Sequence, residues 1–242
     1  MKNHLLSLFF LISCTNLYAQ TQAPAEAEKL FNEGLAFKGQ KKYAEAIQKF
    51  TDAIAVFPWS FDYWHQRGYV RIDLGQYHEA IADFSYMLYF SPTHLRARME
   101  RAYALKRIGN LREALKEYQI AVQEHPTDYQ AHYEYGYMLI DFEEYTKAIE
   151  QMKLAAELNP TSGDPLYELA YCYKKTQQSQ LALDNFNASR EKLGDRIPVG
   201  YYLHVAECQL QLGKKSEACL NLQKAEQLGV EGAAQARKEN CR

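Results

Sequence analysis

Pro58, Pro92, Pro126 and Pro160 stand 34 residues apart, and three more registers keep the same step. Ala46, Ala80, Ala114, Ala148 and Ala182 form one of them. Large apolar residues form the second, at Phe50, Phe84, Tyr118, Met152 and Phe186, and small ones the third, at Gly34, Gly68, Ala102, Gly136 and Ala170. One period shared by four registers restricts the chain to an array of similar supersecondary units, because a helical bundle assembled without repeats has no reason to keep it.

Each unit reads as two helices joined by a short turn. The Gly/Ala register lies in the first helix, where a side chain no larger than methyl lets the paired helix approach closely. The recurrent alanine does the same from the second helix, and the large residue four places on shares its face and fills the space beside the crossing. Proline has no N–H and disfavours helix in the residue before it, so it closes the second helix. Gly75-Gln76-Tyr77 and Gly109-Asn110-Leu111 supply turn signals between the helices.

Trp64, Gly68, Ala80, Phe84 and Pro92 match the W-x2-L-G-x2-Y…A-x3-F…P pattern, so the chain resembles the tetratricopeptide repeat (TPR) family. The resemblance implies an all-α, right-handed superhelical solenoid of about six helical hairpins plus a C-terminal capping helix. The units expected are 27–60, 61–94, 95–128, 129–162, 163–198 and 199–230, with a short linker over 20–26 and the cap over 231–242. Regularity fails after Ser189, where the run through Glu191 to Pro198 adds two residues and Ala182 is followed by Ala218. The last copy, Tyr202, Ala206, Gly213, Ala218, Leu222 and Ala225, has no closing proline.

The start of the chain reads as a secretory signal: a weakly basic lead at Met1 to His4, then an apolar run from Leu5 to Ile12 broken only by Ser7. That run is too short for a permanent bilayer anchor, and no later segment approaches the ~20 apolar residues that spanning needs. Two exits compete. Leu17-Tyr18-Ala19-Gln20 looks like the signal end of many exported Bacteroidetes proteins, giving a signal over 1–19. Leu11-Ile12-Ser13-Cys14 resembles a lipobox, giving a signal over 1–13 with Cys14 lipidated. Either exit implies export, to the periplasm or an outer-membrane-associated position in a Gram-negative bacterium.

In the TPR family the first helices line a concave groove. The residue after the small register gives Leu35, Tyr69, Tyr103, Tyr137, Tyr171 and Glu207, and the residue four earlier adds Phe31, His65, Met99, Tyr133 and Tyr167. Three and four places later come Lys38/Gly39, Ile72/Asp73, Lys106/Arg107, Ile140/Asp141 and Lys174/Lys175. The expected groove has an aromatic floor with basic units alternating with Ile-Asp units, suited to a protein or peptide segment. With 19 Tyr against 11 Phe and 2 Trp, some tyrosines fall in register by composition alone, and those rings equally serve to stiffen the stack. The family's co-chaperone clamp for a C-terminal carboxylate needs Asn where this chain has tyrosine, so that reading is unsupported.

Export permits disulfides. Cys219 lies in the last second helix and Cys241 at the end of the cap. This closing segment resembles that of many exported Bacteroidetes repeat proteins, which implies a Cys219–Cys241 bridge pinning the cap, worth ~3 kcal/mol in the chain-entropy model. Cys172 and Cys208 share the register of small buried residues and read as free core thiols.

Signatures of catalysis are missing: the sequence has no Gly-rich phosphate loop, no G-x-S-x-G elbow and no H-E-x-x-H pair. His65 has the groove position from which to face an acidic partner, though a lone histidine there more often only lines the groove. Glu143-Glu144 falls in a turn and reads as solvated. With 28 basic against 30 acidic residues and no basic cluster, nothing marks a nucleic-acid surface. The expectation is therefore a non-enzymatic interaction scaffold or adaptor, needing neither cofactor nor metal. Its membrane contact would come only through a lipid on Cys14, and self-association is open. The competing reading is a structural subunit of a cell-envelope secretion, motility or outer-membrane assembly complex.

Overall fold

The computed structural model describes residues 24–241. The expected signal over 1–19, the lipobox at Cys14 and the first residues of the linker lie outside them. The described residues form thirteen α-helices and no strand. In pairs they are α1 (Ala25–Gly39) with α2 (Tyr43–Val56), α3 (Phe61–Asp73) with α4 (Tyr77–Phe90), and α5 (Leu95–Arg107) with α6 (Leu111–Glu124). The series continues with α7 (Tyr129–Asp141) and α8 (Tyr145–Leu158), α9 (Asp164–Lys175) and α10 (Ser179–Leu193), and α11 (Tyr201–Gln211) and α12 (Lys215–Gln227), closed by α13 (Ala233–Asn240). The linker expectation over 20–26 is corrected at its end, since Ala25 and Glu26 already belong to α1. Pro24 stands just before the first helical residue, where a missing N–H costs nothing. The two residues added after Ser189 are absorbed by a 3₁₀ turn at Gly194–Arg196.

Two compact units divide the chain, Met1–Glu117 and Tyr118–Arg242, with the boundary inside α6. Within the first unit α1 to α5 each pack on the next, within the second α7 to α13 do the same, and the first helices of neighbouring hairpins also meet: α3 with α5, α7 with α9, and α9 with α11.

One turn geometry recurs at every described hairpin. Gln76 N–H donates to the Arg71 carbonyl while Gly75 N–H donates to Ile72, the doubly bonded Schellman close of a helix. The same pair of bonds closes α1 at Lys41 and Lys42, α5 at Gly109 and Asn110, and α7 at Glu143 and Glu144. It closes α9 at Gln177 and Gln178, and α11 at Gly213 and Lys214. All six pivot residues have positive φ, yet Lys41, Glu143 and Gln177 are not glycine.

The small register works by direct contact with the large one. A Cβ on Gly34 would fall 2.6 Å from the Phe50 ring, and one on Gly68 would fall 2.8 Å from Phe84. The aromatic ring, rather than the recurrent alanine, is therefore what rests on the glycine. Ala46, Ala80, Ala148 and Ala182 are fully buried beside these contacts.

Behind each closing proline a side chain takes up the freed carbonyl. Trp64 Nε1 donates to Pro58 O at 2.8 Å, Arg98 Nη2 donates to Pro92 O, and His132 Nε2 lies 3.0 Å from Pro126 O. These three donors are themselves 34 residues apart, and Lys192 Nζ does the same for Pro160 O. Carbonyls left by a proline-broken helix end need such partners when water is excluded.

The first unit also buries ion pairs between hairpin partners. Arg67 forks onto Asp83 (2.7 Å and 3.2 Å), which also takes Arg71 at 2.6 Å. One repeat later Arg98 and Arg101 hold Glu117 at 3.0 and 2.5 Å. At the C-terminal end Cys219 and Cys241 form a disulfide, Cα atoms 5.7 Å apart across a sequence separation of 22. Ala236 and Cys241 thereby pack onto the cluster of Ala206, Ala218 and Leu222.

Candidate functional site

The two first-helix columns read from the sequence separate in the structure. Residues just after the small register point outward: Leu35, Tyr69 and Tyr137 are 36, 38 and 36% exposed, and Tyr103 and Tyr171 are half-buried. Residues four earlier pack closer to the core, against the second helix of their own hairpin and the first helix of the next: Phe31 meets Phe50 and Tyr63, and Tyr167 meets Phe186 and His204. Phe31 is a correction to the groove set, since its ring packs 4.8 Å from Tyr63 and 5.6 Å from Phe50 within the core. His65 is another. It is 8% exposed between Tyr69 and Phe84, and its Nε2 has no hydrogen-bond partner among the described residues. Burial first, then the charges of Arg96 and His94, hold its imidazole down to about 4. A neutral, enclosed ring cannot attract an acidic partner by charge. Met99, Tyr133 and Tyr167 are intermediate, with Tyr167 5.4 Å from Phe186.

In the first unit, Lys38, His65, Gln66, Tyr69, Arg96 and Glu100 line a cleft of about 280 Å³. Its cations are partly committed. Lys38 donates to Gln66 Oε1 at 2.8 Å and lies over the Tyr69 ring. Arg107 donates to the Tyr103 hydroxyl at 2.6 Å and also covers Tyr77. Lys106 is half-buried on the same helix. The alternating basic units therefore brace tyrosines as well as presenting charge.

In the second unit, Tyr133 and Tyr137 have rings 6.4 Å apart and Tyr129 continues the row at 6.1 Å from Tyr133. Lys174 corrects a further expectation, because it is not available to a partner. Its Nζ donates to Glu207 Oε2 at 2.6 Å and to His204 Nδ1 at 2.8 Å. Both Lys174 and Lys175 lie over the Tyr171 ring, and Lys175 also lies over Tyr145. Beside the tyrosines stands Glu168, whose carboxyl is pushed up to about 7 by burial, then by Asp164 and Asp141. Sequence reasoning missed it, although Gln66, Glu100, Glu134 and Glu168 share one 34-residue register two places before the small one.

Sequence reasoning also missed an aromatic cluster on the second helices and the loops after them. Trp59, Tyr89 and Phe90 are 50, 79 and 46% exposed, with Phe90 5.6 Å from Trp59 and 4.9 Å from Tyr89. Tyr86 joins them to Trp64 by stacking at 3.9 Å. Cys172 and Cys208 are buried free thiols, pushed up to about 12 and about 11, first by burial. Thiols so protonated are poor nucleophiles. Among the described residues no three His, Cys, Asp or Glu side chains gather as a metal site, and no helix is long and apolar enough to cross a membrane.

Known proteins place this geometry. No curated protein matches the sequence. Among solved structures, a tetratricopeptide repeat protein from Parabacteroides merdae superposes with a TM-score of 0.72 at 19% identity, covering 90% of each chain. MamA residues 41 to the end from Desulfovibrio magneticus RS-1 superposes at 0.66 with 21% identity, covering 73% of this chain and 100% of that one. The MamA RS-1 ArsTM double mutant gives 0.65 at 22%, covering 70 and 96%. These likenesses are of fold. The tetratricopeptide repeat family model matches residues 31–94 and 99–163, more than half of the sequence. With that match, the shared registers and the recurrent hairpin, the chain belongs to the tetratricopeptide repeat family.

Proposed function

We propose that this chain is an exported protein-interaction scaffold that binds partner segments on the first helices of its hairpins. The observation that carries the reading is the outward column. Leu35 and Tyr69 in the first unit and Tyr137 in the second keep large apolar surface exposed at one register of the first helices. Tyrosine provides contact area with little side-chain entropy to lose, which suits a binding face. The supporting context is the family, whose repeat is an interaction scaffold and not a catalytic fold. Tyr69→Ala and Tyr137→Ala, separately and together, test it in a crosslinking pull-down from envelope fractions. Loss of the captured partner with unchanged melting temperature supports the reading. Retained capture with lowered melting temperature assigns the rings to stiffening and defeats it.

Export rests on the apolar run from Leu5 to Ile12 and on the two exits after it. Intact mass of the mature protein separates a start near Gln20 from acyl chains on Cys14. A mass that still includes Met1 to Ile12 removes the export reading.

The exposed cluster of Trp59, Tyr89 and Phe90 favours a second reading, a structural subunit of a cell-envelope complex that binds through more than one face. Constitutive co-purification with other subunits, lost on Trp59→Ser with Tyr89→Ser, supports this reading over a free adaptor. Monodisperse monomer in size-exclusion with light scattering supports the adaptor.

A further inference from the structure

Two clefts of the first unit meet at His65. The cleft of about 280 Å³ has Lys38, Gln66, Tyr69 and Glu100 around it. A second, of about 240 Å³, is lined by Phe61, Asp62, Met87 and His94. Only His65 on α3 and Arg96 on α5 line both. His65 is 8% exposed, its ring stands 5.7 Å from that of Tyr69 and 6.2 Å from that of Phe84, and its Nε2 has no hydrogen-bond partner among the described residues. A nitrogen withdrawn from water and left unpaired costs the folded chain free energy, and an apolar ring of similar shape avoids that cost. The neighbouring hairpins have Phe31 and Met99 at this register, so packing alone does not call for a nitrogen here. Arg96 is exposed and makes no hydrogen bond or ion pair with any described residue. Around the two clefts the charges of Lys38 and Arg96 stand against those of Asp62 and Glu100. Burial first, then Arg96 and His94, keep the imidazole uncharged. An entering side chain of either net charge therefore meets a like charge. A carboxamide does not: it carries no net charge, accepts at its oxygen and donates at its nitrogen.

We propose that the paired clefts at His65 and Arg96 receive the carboxamide of an Asn or Gln side chain from the partner segment. Its oxygen accepts from the Arg96 guanidinium, and the same group gives the imidazole nitrogen the hydrogen bond it lacks. Nε2 is covered in the free chain, and the Tyr69 ring, 38% exposed beside it, turns aside as the amide enters. An apolar residue next to the amide lies against Phe61 in the second cleft. This inference rests on the first helices being the binding surface and adds the chemistry of what the first unit binds.

The test is selection of a random dodecapeptide display library on the mature protein, followed by fluorescence anisotropy with one enriched synthetic peptide. Enriched sequences are expected to share an Asn or Gln beside an apolar residue. Replacing that amide residue by Glu, Lys or Met should weaken binding roughly tenfold, the scale of one buried polar group left unpaired. His65→Phe should weaken binding of the original peptide to the same extent, while the free protein melts no lower than wild type because the unpaired nitrogen is gone. A lowered melting temperature with unchanged affinity assigns His65 to packing and overturns the proposal. Where His65→Phe lowers both, Arg96→Met at its exposed position decides: binding roughly tenfold weaker supports the proposal and unchanged affinity overturns it. Enriched peptides that share a charged residue in place of the amide, or that lose binding on Tyr137→Ala but not on Tyr69→Ala, overturn the proposal and leave the binding surface standing. No enrichment on wild type, or binders indifferent to both Tyr69→Ala and Tyr137→Ala, overturns the binding surface and the proposal with it.

Discussion

Lys41, Glu143 and Gln177 carry side chains in a left-handed backbone conformation that Gly75, Gly109 and Gly213 hold at the matching turns. For an L-residue that conformation costs ~1–2 kcal/mol, partly returned because glycine has more freedom to lose on folding. Glu143→Gly and Gln177→Gly are therefore expected to stabilise the chain by about 0.5–1 kcal/mol each, read from urea unfolding midpoints. Glu143→Ala, which keeps the Cβ, should give no such gain. Titration at two other residues bends stability in opposite directions. His65 is held down to about 4 in the folded chain against 6.5 ordinarily, so the unfolded state binds more protons between those values. Its contribution makes stability rise with pH across that window and level off above it. Glu168 is pushed up to about 7 against an ordinary 4.5, so there the folded state holds the extra proton. Its contribution makes stability fall as pH rises from 4.5 to 7. Unfolding midpoints measured from pH 4 to 8 should show Glu168→Gln steeper than wild type below pH 6.5 and more stable than wild type at pH 8. A Glu168→Gln profile parallel to wild type would remove this assignment.

At the scale of the helix pair, the hairpin was legible in the sequence to the extent that its contacts repeat. Gly68 beneath Phe84, the buried alanines and the closing prolines follow from 34-residue registers whose residue types the contact demands. Contacts whose residue types change from copy to copy were not legible. Trp64, Arg98 and His132 fill one role with an indole, a guanidinium and an imidazole, and nothing in their side chains alone signals a shared task. Nothing in the sequence marks Asp83, Glu117, Arg67 and Arg101 as ion-paired, because a charge pattern does not reveal that two faces have closed on each other. Glu168 escaped for a related reason. The groove was sought one, four and five places after the small register and three before it, never two before. The buried Arg67–Asp83 pair has its own consequence. Asp83→Ala leaves Arg67 and Arg71 facing an interior without their acceptor, and Arg67 itself is only 8% exposed. The expected loss is ~3–5 kcal/mol in equilibrium unfolding. The double change Arg67→Met with Asp83→Leu should recover much of it, since an apolar pair of similar volume needs no desolvation of charge. If the double variant is as unstable as Asp83→Ala, the network acts through shape and not through its charges.

Across the whole molecule, stability in a repeat array is a sum of units and their nearest-neighbour seams, so a perturbation at one end should fade within a repeat or two. The C-terminal end is where this can be read most clearly. α13 has eight residues, too few to persist alone, and its described apolar contacts are to α11 and α12 through Ala236 and Cys241. The Cys219–Cys241 bond therefore sets how often α13 is in place to cover Ala206, Ala218 and Leu222. Cys219→Ser with Cys241→Ser frees the 22-residue separation between them and is expected to cost the last hairpin ~3 kcal/mol. In hydrogen exchange, α13 amides should lose protection first, α11 and α12 should follow in part, and α1 to α4 should match wild type. The same pattern should appear when the unmodified protein is reduced, because Cys172 and Cys208 are free thiols in either state. Uniform loss of protection from α1 to α13 would mean that the array unfolds as one cooperative block, and the bond would then be a determinant of the entire fold and not of its closing unit.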